Sequence, residues 1–316
     1  MYERIISLEN LFDAWVEFLK GKRKRKDVAE FSENLSENIY SLHLGLLNKT
    51  YRHSSYSAFN ISDPKPRNIH KASVRDRLLH HAIHRIIYLY FDKKFISDSY
   101  SCRLNKGTHK AMERFESFSH KVSKNNTKQC WVLKCDIKKF FASIDHNLLR
   151  YIVIKYIPDE NINWLLFQII ESFHTAPGKG LPLGNLTSQL LVNIYMNEFD
   201  QFVKHKLKAK HYIRYADDFV FFSQNKSELE VFIRYIVHFL QSELKLKLHP
   251  DKVFIKTLSS GVDFLGWVHF PDHRVLRTVA KRRMLKNISQ KSTASYQGML
   301  KWGNAYKLVK KINSGL

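Results

Sequence analysis

The amino-acid sequence predicts an α+β protein organised around a split β-α-β unit. Two observations carry that expectation. The apolar run Trp131-Val132-Leu133-Lys134-Cys135 has the composition of a buried strand and ends on Asp136, and a long helical segment further on leads into a hairpin-like stretch from His211 to Phe222. Helical periodicity then resumes and a last strand closes the unit, giving the order strand, helix, hairpin, helix, strand.

Residues 1–20 have the spacing of one amphipathic helix, with Leu8, Leu11, Phe12, Trp15 and Leu19 on one face. Gly21-Lys22-Arg23-Lys24-Arg25-Lys26 follows, a run that serves either as a solvated linker or as a phosphate-contacting arm. Val28, Phe31, Leu35, Ile39, Leu42 and Leu46 predict a second helix. Residues 52–70 are polar, contain Pro64 and Pro66, and read as loop and short strand; a long helix is predicted from Val74 to Phe91. Asp145 is placed to cap a helix over 146–157, and another helix is predicted over 161–173. The Pro/Gly stretch from Ala176 to Gly184 breaks the pattern, and a helix over 186–207 leads to the hairpin. Beyond the hairpin, Ser227-Glu228-Leu229-Glu230 has the form of a capping box, opening a helix whose buried stripe is Leu229, Phe232, Ile233, Ile236, Phe239, Leu240 and Leu244. From Arg274 onward the chain is basic and helical, with Lys281, Arg282, Arg283, Lys286, Lys301, Lys307, Lys310 and Lys311. There is no internal repeat.

The hairpin carries the chemistry. Tyr215-Ala216-Asp217-Asp218 lies between two strand-like runs. Adjacent carboxylates at a tight tip repel one another, and a divalent cation relieves that repulsion most simply. With 29 acidic residues in 316, an Asp-Asp doublet on a solvated turn also arises by chance. Asp136 tips the balance, since an acid at the end of each of two strands is what a two-metal phosphoryl-transfer site needs, with ions ~3.5–4 Å apart.

Composition restricts the partners. Fifty-two Lys plus Arg against 29 Asp plus Glu give a formal charge of +23 and a pI near 9.8. Such an excess favours an anionic partner, and nucleic acid is the first choice. A membrane is disfavoured, because no apolar run approaches ~18 residues and the N-terminus lacks a signal-peptide pattern. Hydrophobic content of 44% suffices for a packed core. Cys102, Cys130 and Cys135 form no ligand-spaced pair and are odd in number, which fits a reduced, cytoplasmic setting. His80, His81 and His84 could place two imidazoles on one helical face, but no His-Glu-x-x-His form or third ligand accompanies them, so packing or RNA contact is the expectation. Gly178, Gly180 and Gly184 lack the Walker spacing and read as a structural turn.

Taken together, these segments resemble a reverse transcriptase across nearly the whole chain. Tyr215-Ala216-Asp217-Asp218 matches the family's Tyr-x-Asp-Asp box, and Cys135-Asp136-Ile137-Lys138-Lys139-Phe140-Phe141, continuing to Asp145, resembles the box of the first catalytic Asp. Lys65-Pro66-Arg67 and Arg75-Asp76-Arg77 resemble fingers motifs, Lys252 falls where a palm lysine is expected, and Phe264-Leu265-Gly266-Trp267 resembles the primer-grip turn. The resemblance implies a right-hand polymerase with fingers, a ferredoxin-like palm and a helical thumb. Its divisions are an N-terminal helical extension over 1–50, fingers over 51–125, a palm over 126–270 with a fingers insertion around 145–185, and a thumb over 271–316. Leu183-Gly184-Asn185-Leu186-Thr187-Ser188-Gln189 departs from the common Gln-Gly-x-x-x-Ser-Pro form. With Asn10-Leu11-Phe12-Asp13-Ala14-Trp15 and Trp302-Gly303-Asn304-Ala305-Tyr306, it is similar to the reverse transcriptases of diversity-generating retroelements.

That resemblance implies an RNA-directed DNA polymerase copying a template-repeat RNA into adenine-mutagenic cDNA from dNTPs, with a small basic accessory protein that forms a ring. It implies two Mg²⁺ ions, replaceable by Mn²⁺, on Asp136, Ile137, Asp217 and Asp218. Lys65, Arg67, Arg75, Leu183, Gly184, Gln189 and Lys252 are expected around the nucleotide. Phe141 is expected to exclude a ribose 2′-hydroxyl, and its plainer role is a core aromatic. Phe264, Leu265, Gly266, Lys281, Arg282 and Arg283 are expected along primer and template. The competing readings are another bacterial reverse transcriptase, group II intron-like or retron, and a catalytically inactive RNA-binding maturation factor. Against them stand the chain's stop at Leu316 without a maturase segment, the lack of a Val-Thr-Gly near the thumb, and the intact acids.

Overall fold

In a computed structural model, which describes residues 1–62 and 66–313, fourteen α-helices and nine strands are found. In chain order they are α1 Tyr2–Ile6, α2 Leu8–Leu19, α3 Lys26–Glu33, α4 Leu35–Leu47, β1 Ser57–Ile61, β2 Arg67–Lys71, α5 Val74–Asp92, α6 Thr108–Ser123, β3 Trp131–Asp136, α7 Phe140–Ser143, α8 His146–Tyr156, α9 Glu160–Ile170 and α10 Leu186–His205. They continue as β4 Tyr212–Tyr215, β5 Asp218–Ser223, α11 Lys226–Ser242, β6 Phe254–Thr257, β7 Val262–Phe264, β8 Trp267–His269, β9 Arg274–Leu276, α12 Thr278–Lys286, α13 Gln290–Leu300 and α14 Tyr306–Asn313. The chain forms two units. One comprises Met1–Ile96, Lys138–Phe202 and Phe239–Lys247, and the other Ser97–Ile137, Val203–His238 and Leu248–Leu316.

In the first unit, helices α1–α5 pack around Ile5, Leu11, Trp15, Phe18, Val28, Ile39, Leu79 and Ile83, all buried. Two helices expected to be continuous are broken. The first stops at Ser7, whose extended backbone (φ −56°, ψ 143°) starts α2 and whose hydroxyl accepts from the Asn10 N–H. The second breaks at Asn34, which leaves helical geometry (φ −118°, ψ 42°). At Ser7 a short polar side chain competes with the helix for a backbone hydrogen bond, which the apolar spacing does not register. Asn34 makes no such side-chain bond, and Asn38 Nδ2 donates across that break to the Phe31 carbonyl at 3.0 Å. The Asn10-to-Trp15 segment is a clamp. Asn10 Nδ2 donates to the carbonyls of Ile5 and Ala82, and Arg85 on α5 donates to Asn10 Oδ1 at 3.0 Å and Asp13 Oδ2 at 2.9 Å.

β1 and β2 form an antiparallel pair, and the segment after the Pro/Gly stretch is tied to β2. The Leu183 carbonyl accepts from the His70 N–H at 3.1 Å, and Asn185 Nδ2 donates to the His70 carbonyl at 3.0 Å. Between them Gly184 adopts φ +102°, and a Cβ there would stand 2.9 Å from Ile69 Cγ2. Asp145 caps α8, its carboxylate accepting from the Leu148 N–H at 3.0 Å. The histidines of α5 pack inward: His80 is buried against His53, His81 meets Phe18 and His84 stacks on Tyr88. Burial excludes RNA contact for His80, and among the described residues no group of three or more His, Cys, Asp or Glu is gathered for a metal ion.

The second unit holds a four-stranded sheet in the order β4-β5-β3-β6, all neighbours antiparallel. Val132, Val220, Phe222 and Ile213 pack one face against α6 through Phe115 and Phe118. The capping box expected at Ser227 is not formed. α11 begins one residue earlier, so Ser227 lies in its first turn, and Asn225 Oδ1 accepts from the Ser227 N–H at 2.9 Å. β7, β8 and β9 make a three-stranded sheet whose Trp267 and Leu276 join Met284, Leu300, Ala305 and Ile312 in a second core. The Trp302–Tyr306 segment fastens this core. Trp302 stacks on His109 with ring centroids 3.8 Å apart, its carbonyl accepts from Arg274 Nε, and Asn304 N–H donates to the Arg274 carbonyl at 2.8 Å. Gly303 is so close to Trp267 that a Cβ would stand 2.1 Å from Cζ3.

Candidate active site

The strand register sets the position of the acids. β3 and β5 run antiparallel with Cys135 opposite Phe219, and this places Asp136 directly opposite Asp218. Side chains so paired have Cβ atoms roughly 4.5–5.5 Å apart, and like charges there destabilise the sheet. Tyr215 pairs with Asp218, so Ala216 and Asp217 form the two-residue tip of the β4–β5 hairpin. The Ile137 N–H donates to the Asp217 carbonyl at 3.2 Å, which ties the tip to the end of β3. All three acids thus stand at one end of one sheet.

The tip is a strained turn. Ala216 adopts φ +56°, a left-handed conformation costly for a residue with a Cβ. Arg214 holds it there, fully buried, donating from Nη1 to the Ala216 carbonyl at 3.1 Å and from Nη2 to Ser99 Oγ at 3.1 Å.

Two lysines balance the carboxylates. Lys252, on a short turn before β6, donates to Asp136 Oδ1 at 2.8 Å. Lys134 lies 3.2 Å from Asp218 Oδ2, with its side chain only 9% exposed. Neither lysine offsets the whole burden on Asp218. Burial, with smaller contributions from Asp217 and Asp136, pushes its carboxyl up to about 6 against the pull of Lys134. Asp218 Oδ1 is buried and has no hydrogen-bond partner. Such an orphaned oxygen beside a second carboxylate suits a hard cation. Mg²⁺ in phosphate chemistry takes one or two carboxylates and completes its shell with water and substrate oxygens, not with a full protein cage. The cross-strand pair Asp136 and Asp218 therefore suits that ion, with Asp217 at the adjoining hairpin tip. Ile137 has a buried side chain and could contribute only main-chain atoms.

Lys134 and Arg214 were not singled out from the sequence. Lys134 left a signal, because residues two apart in a strand share a face and Lys134 precedes Asp136 by two. A lysine inside an otherwise apolar strand is costly unless a carboxylate faces it. For Arg214 there was no such cue.

The other expected residues fall as follows. Lys65 lies outside the described residues. Arg67 is exposed at the start of β2. Arg75, at the start of α5, is 40% exposed, but its Nη2 donates inward to the Arg52 carbonyl at 2.6 Å, to Ser54 Oγ and to Asp76. Phe141 is half-buried on α7 beside the buried Phe140, Leu183 and Gln189 are half-buried, and Gly184 is exposed. Arg67, Arg75, Phe141, Leu183, Gly184 and Gln189 belong to the first unit, and Asp136, Asp217, Asp218 and Lys252 to the second. Phe264-Leu265-Gly266-Trp267 is the β7–β8 turn, with Phe264 paired to Trp267 and both tip residues at positive φ, +52° and +88°. Lys281 and Arg282 are exposed on α12, and Arg283 is half-buried.

Comparison with known proteins agrees with this geometry. The family model described as reverse transcriptase (RNA-dependent DNA polymerase) matches residues 61–269, more than half the chain. Protein YkfC of Escherichia coli is 26% identical over 280 residues, covering 76% of this chain and 71% of that protein. The group II intron-encoded protein LtrA of Lactococcus lactis is 22% identical over 277 residues, covering 66% of this chain but 44% of its own length. Among solved structures, an apo telomerase from Candida tropicalis superimposes with a TM-score of 0.54 at 12% identity, over 76% of this chain and 60% of that one. A Candida albicans telomerase does so with 0.55 at 11%, over 79% and 50%. These likenesses establish the right-hand polymerase fold. No helix among the described residues is long and apolar enough to cross a membrane. The chain belongs to the reverse transcriptase family.

Proposed function

We propose that this chain is an RNA-directed DNA polymerase acting by nucleotidyl transfer at Asp136, Asp217 and Asp218. The observation that carries the reading is the Asp136–Asp218 cross-strand pair, with Asp217 at the adjoining tip and an orphaned oxygen on Asp218. A bound pair of Mg²⁺ ions supplies Lewis acidity toward the primer 3′-hydroxyl and charge neutralisation on the triphosphate. The three carboxylates hold that charge at one sheet end. Lys252 and Lys134 keep the acids from repelling one another apart and set how much negative charge they present. Arg67, and Lys65 with it, neutralise the triphosphate; the planar guanidinium binds phosphate oxygens in pairs. Phe141 limits space at the sugar. The β7–β8 turn and the basic face of α12 track primer and template.

The finer reading is a polymerase of a diversity-generating retroelement, copying a template-repeat RNA with errors opposite adenine beside a ring-forming basic accessory protein. Leu183 supports it, because an aliphatic side chain next to a nascent pair offers contact area and no hydrogen-bond readout, and apolar fit discriminates weakly. The likeness to an intron-encoded protein favours a second reading, a group II intron-like enzyme. Flanking DNA with two near-identical repeats differing only at adenines distinguishes the two.

Primer extension on an RNA template tests the main proposal, with Asp217→Asn as control. Parent activity with loss in the variant supports it. Equal extension by both proteins assigns the activity to another site or a contaminant.

A further inference from the structure

The end of the four-stranded sheet opposite the acids is strongly basic. Ser223 pairs with Trp131 there, five residues along β5 from Asp218 and about 17 Å away. Two loops leave this end. Lys121 stands in the last turn of α6, with Lys124 and Lys128 on the loop beyond it; Lys206, Lys208 and Lys210 lie on the loop between α10 and β4. All six lysines are exposed. The loops are held in place. Gln224 Nε2 donates to the Val122 carbonyl at 2.6 Å, the Phe118 ring meets His211 edge-on at 5.0 Å, and the Phe222 N–H donates to the His211 carbonyl at 3.0 Å. Lys124 (φ +50°), Asn125, Asn126 and Lys208 (φ +54°) turn the backbone tightly, so defined turns present the lysines.

A cleft of about 380 Å³ opens between the loops, with Lys121, Lys208, Lys210, His211 and Gln224 on its walls. Its carboxylate, Glu228, is engaged by the Ser223 hydroxyl at 2.5 Å. Lys204 nearby is drawn 3.6 Å from Asp98. His211 titrates below the ordinary imidazole range, first through burial and then because Lys204, Lys121, Lys210 and Arg114 surround it. The cleft concentrates positive charge for an anion. Its rings do not offer stacking faces, since Phe222 is buried and Phe232 half-buried in the wall. Lysines without exposed aromatics contact phosphates and do not read bases. Lys121 facing Lys208 and Lys210 across one cleft, with Lys124, Lys128 and Lys206 exposed on the flanking loops, suits the paired backbones of a duplex.

We propose that this cleft is a second RNA-binding site, gripping the phosphates of a base-paired segment of the template RNA outside the stretch being copied. Choosing RNA as the polyanion rests on the polymerase reading above; the phosphate chemistry rests on the cleft alone. Holding the template at the far end of the sheet tethers it while the acids stay open to the primer end.

The test uses the full chain carrying Lys121→Gln, Lys208→Gln and Lys210→Gln together. A charge-matched control carries Lys20→Gln, Lys49→Gln and Lys93→Gln, three exposed lysines elsewhere. The probe is a labelled RNA hairpin with no primer end, titrated across salt by fluorescence anisotropy. In the cleft variant the log–log salt slope should become shallower by about 2–3 and binding should weaken at least about tenfold, with the control unchanged. Extension of a short annealed primer–template should keep its parental rate, which also shows that the variant is folded. Equal slopes for both variants overturn the proposal. So does an equal loss on the unpaired strand of the same sequence, or a loss confined to a polyglutamate probe, which marks an acidic protein partner. If the parent extends no primer, the polymerase reading fails while the hairpin titration still decides the cleft.

Discussion

Asp218→Asn should make the metal-free protein more stable above pH 6, although it removes a charge from an ion pair. In the folded chain the carboxyl rises from an ordinary 3.8 to about 6, chiefly through burial, and the attraction of Lys134 is already included in that balance. At about 1.4 kcal/mol for each pH unit, carrying the Asp218 charge without a cation costs about 3 kcal/mol. The sign follows from linkage. A group whose folded value is raised contributes stability fully below its unfolded value, and that contribution is lost as pH rises through the folded value. The parent in chelator should therefore lose up to about 3 kcal/mol between roughly pH 4 and 6, a dependence the Asn variant lacks. At pH 8 in chelator the variant should melt several degrees higher. Excess Mg²⁺ should raise the parent's Tm and leave the variant's nearly unmoved. Thermal unfolding followed by fluorescence across this range, with and without Mg²⁺, is the assay. A variant less stable than the parent at pH 8 in chelator would show that the Lys134 pair outweighs the burial penalty and would refute the reasoning.

Three further outcomes are expected. Leu183→Gln should lower misincorporation opposite template adenine, read by sequencing the cDNA; an unchanged adenine error rate removes Leu183 as its source. Gly303→Ala should destabilise the β7–β9 and α12–α14 core by about 1–3 kcal/mol or more, because its Cβ meets Trp267 at 2.1 Å and the Arg274 carbonyl at 2.8 Å; chemical denaturation measures this, and a neutral result means that Trp267 has room to move. Neutralising Lys281 and Arg282 to Gln should make the salt slope of primer–template binding shallower by about 1 for each lost phosphate contact; a parental slope would place the duplex elsewhere.

Much of this architecture was legible in the amino-acid order because backbone geometry writes it there. Trp131–Cys135 and Phe219–Phe222 are short continuous apolar runs, the composition of strands buried on both faces, and both are buried strands of one sheet. An acid closes one run and opens the other, so antiparallel pairing in the observed register brings them together, and Asp145 announced its cap by standing just before a helical period. Local chemistry also misled where two local rules competed. Ser7 and Asn34 interrupt helices whose apolar spacing runs straight through them, and Ser227 has the form of a cap whose place Asn225 takes two residues earlier. Only the tertiary structure decided which charges face which. That Lys134 serves Asp218, that Arg214 is anchored on Ser99 while it holds the strained Ala216, that Arg75 turns inward to Arg52, and that a lysine of α6 shares a cleft with lysines of the α10–β4 loop are all long-range pairings. Such pairings depend on how strands and loops come together in space, and no periodicity along the chain encodes them.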